Sequence, residues 1–269
     1  MVLMIPSMIT PSSATVEESL PVFLKGGDIA VVLIHGYNGH PGDLSEIALR
    51  LHQQGFTVAV PRLPGHGTNA EDFLQTDEKD WLRRAVDVCL DLCASYQTIY
   101  LVGISMGALI ALYLASQMKV KRLVLISPAL HLKNPVHHIL PALSLFIRKI
   151  ARNSTMENID SGGRKILYEN YWSWHYPPMI MKIKRISRLT LKKLKQVEAE
   201  TLIIAAKRDE LVTLRGAEEI YYKIASKKKE LTILENSPHF CLGGQEKDKV
   251  ISLACEWLLR HNDSFRAHN

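Results

Sequence analysis

Short apolar runs alternate with longer segments of mixed polarity along the 269 residues of the chain. The runs lie at 21–25, 30–34, 57–60, 98–102, 122–126, 201–206 and 230–234. Segments with apolar residues at helical spacing lie at 43–54, 77–95, 106–117, 215–225 and 246–260. Asp43, followed by Glu46, resembles a capping box at the start of the first predicted helix. This alternation of strands and helices predicts an α/β domain whose sheet is mostly parallel and flanked by helices.

The alternation breaks between "RLVLISPAL" and "TLIIAA", where about seventy residues separate two predicted strands. A structureless connection of that length is uncommon in a compact domain, so we expect the segment to fold. Its apolar and aromatic residues, several of them at helical spacing, predict a small helical cap. They are Ile139, Leu143, Phe146, Ile147, Ile150, Tyr168, Tyr171, Trp172, Trp174 and Tyr176. We therefore divide the chain into an N-terminal arm (1–20), a core (21–130 and 200–269) and an inserted helical cap (131–199).

The composition is that of a globular protein with a substantial core, since 47% of the residues are hydrophobic and 22% are charged. Cys89 and Cys93 lie one helical turn apart, and Cys241 and Cys255 are far away, which is not the spacing of a secreted disulfide framework. Reduced thiols and a cytoplasmic location are therefore expected. Cys89 and Cys93 also continue an apolar stripe, so we expect them to pack in the core rather than bind zinc. No metal or cofactor site is expected.

Positive charge is concentrated in the segment from 131 to 200, which holds thirteen Lys or Arg and five acidic residues. Its net charge is +8, whereas the whole chain carries +6. The stretch "MKIKRISRLTLKKLKQV" could form a basic amphipathic helix that contacts anionic membranes. A helix packed on one side, with a solvated charged face, is the favoured interpretation. Nucleic-acid binding is not expected, because no recognised binding module accompanies the charge. The oligomeric state is left open.

A serine between two glycines is the first candidate for chemistry. Gly103-Ile104-Ser105-Met106-Gly107 lies between the strand-like "IYLVG" and the helix-like "ALIALYLAS". The glycines allow strand and helix to approach closely, and the turn lifts the Ser105 hydroxyl at the carboxyl end of a strand, where α/β sheets bind ligands. A turn needed only for packing is the alternative, whereas a phosphate loop would require Lys and further glycines. We take Ser105 as the candidate nucleophile.

A serine hydroxyl needs a general base and a carboxylate that orients the base. His239, in "ENSPHFCLGG", follows a predicted strand and is the candidate base. His35 and His66 also follow strands, but they lie in glycine-rich turns that backbone shape alone explains. Asp209 follows the strand "TLIIAA" and is preferred over its neighbour Glu210 as the orienting carboxylate. No sequence pattern excludes Glu210, because either residue type can serve.

An oxyanion hole requires two backbone N–H donors, one of which comes from the residue after the nucleophile. That residue is Met106. The second donor is expected from the turn in "VVLIHGYNGHPG", where Tyr37 is the candidate. The alternative, that His35-Gly36 only makes a tight turn, is compatible with this role because the donor is a backbone group.

With these motifs in order, the chain resembles the α/β-hydrolase superfamily, in particular bacterial carboxylesterases and monoacylglycerol lipases. The resemblance runs from about Ala30 to Arg260 and rests on "VLIHGYNGHPGDL", "VAVPRLPGHGT", "DWLRRAVD", "VGISMGALIALYLA", "LKQVEAETLIIAAKRDELV" and "NSPHF". It implies a catalytic triad of Ser105, Asp209 and His239. Relatives often carry Pro, Gly and Pro where this chain has Glu200, Ala206 and Thr213, which alters the stiffness of the chain near Asp209.

The resemblance also implies a function: a cofactor-independent serine esterase that acts on short- to medium-chain acyl esters, such as monoacylglycerols. The same residues could serve a thioesterase, an acyltransferase or a carbon–carbon bond hydrolase, because a fold does not determine the leaving group. A protein of another class, a non-catalytic binder that retains the hydrolase fold, is a further alternative. The expected partner is a small-molecule acyl ester.

Overall fold

A computed structural model describes residues 17–133, 147–151, 167 and 172–260. Its strands are β1 (Val22–Leu24), β2 (Ile29–Ile34), β3 (Thr57–Val60), β4 (Thr98–Ile104), β5 (Arg122–Ile126), β6 (Ile150–Ala151), β7 (Trp174–His175), β8 (Glu200–Ala206) and β9 (Lys229–Leu234). Its α-helices are α1 (Ser45–Gln53), α2 (Ala70–Gln75), α3 (Glu78–Cys93), α4 (Met106–Ala115), α5 (Pro177–Lys193), α6 (Leu214–Lys223) and α7 (Lys247–Leu259). Each of the seven predicted strands is present, with ends within two residues of the expected ones.

The main sheet has seven strands in the order β1-β3-β2-β4-β5-β8-β9. Within this sheet β1, at one edge, runs antiparallel to its neighbour, and the other described pairs are parallel. Strands β6 and β7 form a separate antiparallel pair. The central strands are buried on both faces, which explains why they read as continuous apolar runs rather than as an alternating pattern. The carboxyl ends of the parallel strands meet at one edge of the sheet, and ligands of open α/β sheets bind at that edge. The prediction of a mostly parallel sheet is confirmed.

Helices cover both faces of the sheet. The apolar sides of α1 and α7 pack on one face, and α2 to α6 contribute to the core on the other. Arg122 in β5 is buried, and its guanidinium donates hydrogen bonds to the carbonyls of Leu258 and Arg260. Its Nε also donates to Glu200 at 3.1 Å. A buried guanidinium with partners for its N–H groups holds the end of the last helix against the middle of the sheet.

The segment between β5 and β8 contains the long helix α5, which packs against α4 and α3. Polar side chains of α5 bond to core carbonyls: Ser187 Oγ donates to Leu130 at 2.8 Å, and Thr190 Oγ1 donates to Leu109 at 3.2 Å. The opposite side of the helix carries exposed Arg185, Arg188 and Lys192. The helix is therefore packed on one side and charged on the other, as the favoured sequence interpretation expected.

Part of the predicted cap cannot be compared with the structure. Ile139, Leu143, Phe146, Tyr168 and Tyr171 lie outside the described residues. Of the others, Ile147 and Ile150 are exposed, whereas Trp172, Trp174 and Tyr176 lie at least partly inside the protein and contact other elements. The division into arm, core and cap stays a prediction. In the predicted arm, residues 17–19 form a 3-10 turn in which Ser19 is buried, and residues 1–16 are outside the description.

Two local predictions are wrong. Asp43 does not cap α1; its carboxylate accepts the backbone N–H of His40 at 3.1 Å, at the start of a 3-10 turn, Pro41–Leu44, that precedes the helix. The α1 helix then begins at Ser45, and Leu44 at its N-cap provides no side-chain hydrogen bond. Cys89 is buried as expected, but Cys93 near the end of α3 is exposed, because the buried stripe of that helix continues through Leu92 instead.

Within the ranges given above, no helix is both long enough and apolar enough to span a bilayer.

Candidate active site

Ser105 lies on a sharp turn between β4 and α4. Its backbone has φ 55° and ψ −114°, a region that non-glycine residues rarely occupy. Three hydrogen bonds hold it there: its N–H donates to Ile126 at 2.8 Å, and its carbonyl accepts the N–H groups of Ala108 and Ala129 at 3.2 Å each. These bonds come from α4, from β5 and from the residues after β5, so the surrounding fold stabilises the strained turn.

The two flanking glycines are needed for close packing. A Cβ atom on Gly103 would lie 2.4 Å from the carbonyl oxygen of Gly107, and a Cβ atom on Gly107 would lie 2.1 Å from the carbonyl oxygen of Ile34. Both contacts are with backbone, which cannot move aside as a flexible side chain would. The α4 helix therefore starts directly against β2 and β4, with the serine hydroxyl above the sheet.

The three predicted catalytic side chains come together at the carboxyl edge of the sheet. The distance from Ser105 Oγ to His239 Nε2 is 2.8 Å, and that from His239 Nδ1 to Asp209 Oδ2 is 2.7 Å. These bonds join a turn after β4, a loop after β8 and a loop after β9. When Nδ1–H donates to the carboxylate, Nε2 keeps its lone pair for the serine hydroxyl.

Asp209 is held in place by its own loop. The side chain is 1% exposed, and Oδ1 accepts the backbone N–H groups of Leu211 and Val212 at 2.8 Å each. The other oxygen, Oδ2, is directed to His239. A buried carboxylate with charge-assisted bonds to both oxygens fixes the orientation of the imidazole.

Glu210, the alternative carboxylate, has a different contact. Its Oε2 accepts the backbone N–H of His239 at 3.0 Å, and the ring nitrogen instead meets Asp209. A second carboxylate, that of Glu246, accepts the N–H of Asn236 at 3.0 Å and the hydroxyl of Ser237 at 2.7 Å. Two acidic side chains thus hold the backbone of the loop that carries His239, a role that the sequence gave no signal for.

The candidate oxyanion donors lie on either side of Ser105. Met106 is the first residue of α4, so its N–H has no carbonyl acceptor within the helix. Tyr37 lies in the turn after β2, where a Cβ atom on Gly36 would be only 3.2 Å from Ser105 Cβ. The turn therefore abuts the serine. The ring of Tyr37 packs against Phe73 at 5.4 Å between centroids.

Two buried histidines support the same turn. His35 Nδ1 donates to the Gly36 carbonyl at 3.0 Å, and Nε2 accepts the N–H of Leu63 at 3.1 Å, which ties the turn after β2 to the loop after β3. His66 packs edge-on against His35 at 5.0 Å. Burial lowers the pKa of His35 well below its ordinary value and that of His66 to about 4. Sequence reasoning assigned both positions to backbone shape and missed these ring contacts.

No group of three or more His, Cys, Asp or Glu side chains in the described parts of the chain is arranged to hold a metal ion. The charged members of the site have other partners instead: Asp209 bonds to the backbone of its own loop and to the His239 ring, and Glu210 bonds to the His239 backbone N–H. The arrangement suits proton transfer from an attacking hydroxyl to an imidazole.

Comparisons with known proteins find relatives over most of the chain. A family model described as serine aminopeptidase, S33, matches residues 27–247, a range that includes Ser105, Asp209 and His239. The chain is 27% identical over 245 residues to a thermostable monoacylglycerol lipase of Bacillus sp. (strain H-257), which covers 90% of this chain and 94% of that enzyme. It is 25% identical over 241 residues to a carboxylesterase of Bacillus subtilis (strain 168), with 88% and 95% covered.

A solved structure is also similar over most of this chain. It comes from work on LipS and LipT, two metagenome-derived lipolytic enzymes, and superposes with a TM-score of 0.82 at 25% identity. The match covers 92% of this chain and 100% of that one. The similarity thus extends beyond the catalytic motifs to the arrangement of the whole chain.

Proposed function

Since the chain belongs to the serine aminopeptidase S33 family, and is a serine hydrolase of the α/β-hydrolase superfamily, we propose that it hydrolyses short- to medium-chain carboxylic esters such as monoacylglycerols. The observation that carries the proposal is the continuous chain of hydrogen bonds from Ser105 through His239 to Asp209. Relatives named as a monoacylglycerol lipase and a carboxylesterase, each matched over most of their length, support the ester as substrate.

In the proposed mechanism, Ser105 Oγ attacks the ester carbonyl while His239 Nε2 accepts the hydroxyl proton. The negative charge of Asp209 stabilises the imidazolium, and the backbone N–H groups of Tyr37 and Met106 bind the oxyanion of the tetrahedral intermediate. The intermediate collapses when His239 transfers the proton to the leaving alcohol, which leaves an acyl group on Ser105. Water, deprotonated by His239, then releases the acid through a second tetrahedral intermediate.

The candidate oxyanion turn lies in aromatic surroundings, which supports an uncharged acyl group as its substrate. Aromatic rings of Tyr37, Phe73 and Tyr176 pack together there, with Phe73 and Tyr176 5.6 Å apart between centroids. Apolar and aromatic side chains line most small-molecule sites, with few polar groups. The description of the family names an aminopeptidase, which has to bind the free ammonium group of its substrate. Amino-acid derivatives should therefore be tested beside the esters.

Fluorophosphonate labelling separates the hydrolases from the non-catalytic binder. We expect the folded wild type to take up the probe and Ser105→Ala to take up none, because the probe forms its bond with an activated serine oxygen. Ser116→Ala, at the opposite end of α4, is the matched control and should label like the wild type. A folded wild-type protein that takes up no probe would favour the binder.

A substrate panel then separates the hydrolases from one another. The wild type and Ser105→Ala are assayed on p-nitrophenyl esters of two to twelve acyl carbons, on monoacylglycerols, on acyl-CoA and on aminoacyl p-nitroanilides. We expect hydrolysis of the esters, with the highest kcat/KM at short or medium chain length. Ser105→Ala should hydrolyse them no faster than the uncatalysed reaction. Turnover of acyl-CoA or of the anilides alone would replace the ester proposal with a thioesterase or a peptidase.

We propose that the protein acts in the cytoplasm and without a metal or cofactor. All four cysteines are free thiols, which supports a reducing compartment. Membrane contact through the charged side of α5 is not favoured; binding to anionic vesicles that disappears at high salt would argue for it.

A further inference from the structure

Trp172, in the segment between β5 and β8, lies against the turn that carries Tyr37. Its indole Nε1–H donates to the carbonyl of Asn38 at 2.5 Å, although the two residues are 134 positions apart in the sequence. The indole also stacks on the ring of His40, with 5.4 Å between centroids and 19° between planes. The Trp172 side chain therefore contacts both Asn38 and His40, the residues that flank Gly39.

The turn itself has little room for an alternative arrangement. Asn38 has φ 57°, a left-handed backbone conformation, and the N–H of Gly39 donates to the carbonyl of Gly36 at 3.1 Å. The Asn38 carbonyl and the Gly39 N–H belong to the same peptide. That N–H bonds to the carbonyl of the Gly36–Tyr37 peptide, which is the peptide that carries the Tyr37 N–H. A rotation of the Asn38–Gly39 peptide therefore disturbs the bond to the Gly36 carbonyl, and with it the direction of the Tyr37 donor.

A second contact from the same segment reaches Tyr37 directly. The backbone N–H of Tyr176 donates to the hydroxyl oxygen of Tyr37 at 3.3 Å. The Tyr176 side chain is buried, and it packs on Phe73, which in turn packs on Tyr37. The segment that would cover the substrate is thus bonded to the turn at Asn38 and at Tyr37.

We propose that Trp172 is a positioning residue for the oxyanion hole: its bond to the Asn38 carbonyl fixes the direction of the Tyr37 N–H. This inference rests on the proposed function. Donors aimed in advance at the developing oxyanion are the largest single contribution in many enzymes of this chemistry, and their effect depends on geometry. Trp172 does not touch the reacting atoms in this role; it acts through the backbone of the turn.

The competing explanation makes Trp172 a wall of the acyl site, and acyl length distinguishes the two. An oxyanion donor acts on the carbonyl, which every ester has, so its displacement lowers kcat by the same factor for every chain length. A wall of the acyl site contacts long chains more than short ones. Its loss would raise KM for long-chain esters and leave the acetate almost unchanged.

The test is Trp172→Phe, which keeps an aromatic ring for His40 and removes the N–H donor. The matched control is Trp174→Phe, because Trp174 lies two residues further on and faces Lys149, whose Nζ is 4.3 Å from the ring centroid. Each variant and the wild type are assayed on p-nitrophenyl acetate, butyrate and octanoate. Removing an oxyanion donor typically lowers kcat about a hundredfold or more, so we expect its displacement to lower kcat about ten- to thirtyfold for all three esters.

KM should stay within about twofold of the wild type, and Trp174→Phe should resemble the wild type throughout. The inference is overturned if kcat of Trp172→Phe is unchanged, or if its loss grows with acyl length. Should Trp172→Phe fail to fold by circular dichroism, Trp172→Leu, which also removes the indole donor to the Asn38 carbonyl, must show the same loss for every ester. A wild type that hydrolyses no ester would instead reject the proposed function itself.

Discussion

The buried histidines make the folded state sensitive to mild acid, and His66 allows the effect to be calculated. Its ring is fully buried, between Phe73 and Trp81. Burial lowers its pKa from 6.5 to about 4, with a smaller contribution of the same sign from the charge of Arg62; a hydrogen bond to the Pro64 carbonyl acts in the opposite direction. The unfolded chain therefore binds a proton at pH values where the folded protein does not.

The sign follows from the two pKa values. The stability that neutral His66 provides is complete above pH 6.5, falls as the pH decreases below the unfolded pKa, and is lost once the pH passes the folded pKa of about 4. Integration over the difference gives a loss of about 2 kcal/mol between about pH 7.5 and pH 5, and about 3 kcal/mol in total. His35, whose pKa is also lowered, chiefly by burial, adds a loss of the same sign.

The assay is urea unfolding at about pH 7.5 and about pH 5 for the wild type and for His66→Phe. Phenylalanine suits the aromatic surroundings, and the Pro64 carbonyl keeps its bond from Trp81 Nε1 at 3.1 Å. The variant should lose about 2 kcal/mol less than the wild type between the two pH values, because it retains only the contribution of His35. Carboxyl groups interfere little, since they titrate near pH 4 or below.

An equal loss in the wild type and in His66→Phe would refute the reasoning, because the histidine would then not be the group that takes up the proton. A larger loss in the variant would have the same meaning. The free energy of unfolding at the higher pH serves as the control for packing, and it should change by no more than about 2 kcal/mol.

Three further predictions concern the site. Asp209→Asn should lower kcat about ten-thousandfold with little change in KM, because an amide no longer holds His239 in the required tautomer; steady-state ester kinetics measure it, and a loss below about tenfold would contradict the triad. Glu210→Gln should keep kcat within about twofold, since the amide oxygen still accepts the His239 N–H. Glu210→Ala should lower kcat about fivefold in the same assay, because it removes that acceptor. Equal kcat values for the two variants would argue against this bond. Gly107→Ala, whose Cβ would meet the Ile34 carbonyl oxygen at 2.1 Å, should lower the free energy of unfolding by about 3 kcal/mol or prevent folding, and a wild-type urea midpoint would show that the contact relaxes.

Most of the core could be predicted from sequence because its central strands are buried on both faces. Burial on both sides requires an unbroken apolar run, and the short length of such runs distinguishes them from helices. The helix α2 was missed, since its six residues are too few to show a helical period. Its start depends instead on the Asn69 side chain, which accepts the N–H groups of Glu71 and Asp72. Strands β6 and β7 could not be predicted either, because two residues are too few to show the alternation of a strand.

The candidate triad could be predicted because each member directly follows a parallel strand. Parallel strands bring such positions to one edge, whatever their separation in the sequence. Position after a strand could not distinguish Asp209 from Glu210, because the two residues are adjacent in the sequence. The choice depends on the turn in which the N–H groups of Leu211 and Val212 bond to Asp209. The contact of Trp172 with Asn38 could not be predicted either, because it depends on how the inserted segment folds back over the core.

The pairing of β5 with β8 has a consequence for how such a protein can diversify. Arg122 and Glu200 are direct neighbours in the sheet although they are 78 positions apart. Because the two strands are parallel, the connecting chain leaves the carboxyl end of β5 and returns to the amino end of β8, across the sheet. The entropic cost of closing such a connection grows only by about 0.6 kcal/mol for each doubling of its length. Evolution can therefore lengthen, shorten or replace the intervening chain at small energetic cost, while the strands that hold the nucleophile and the acid keep their places. New substrate preferences can therefore arise by exchange of the segment between β5 and β8, while the catalytic residues stay unchanged.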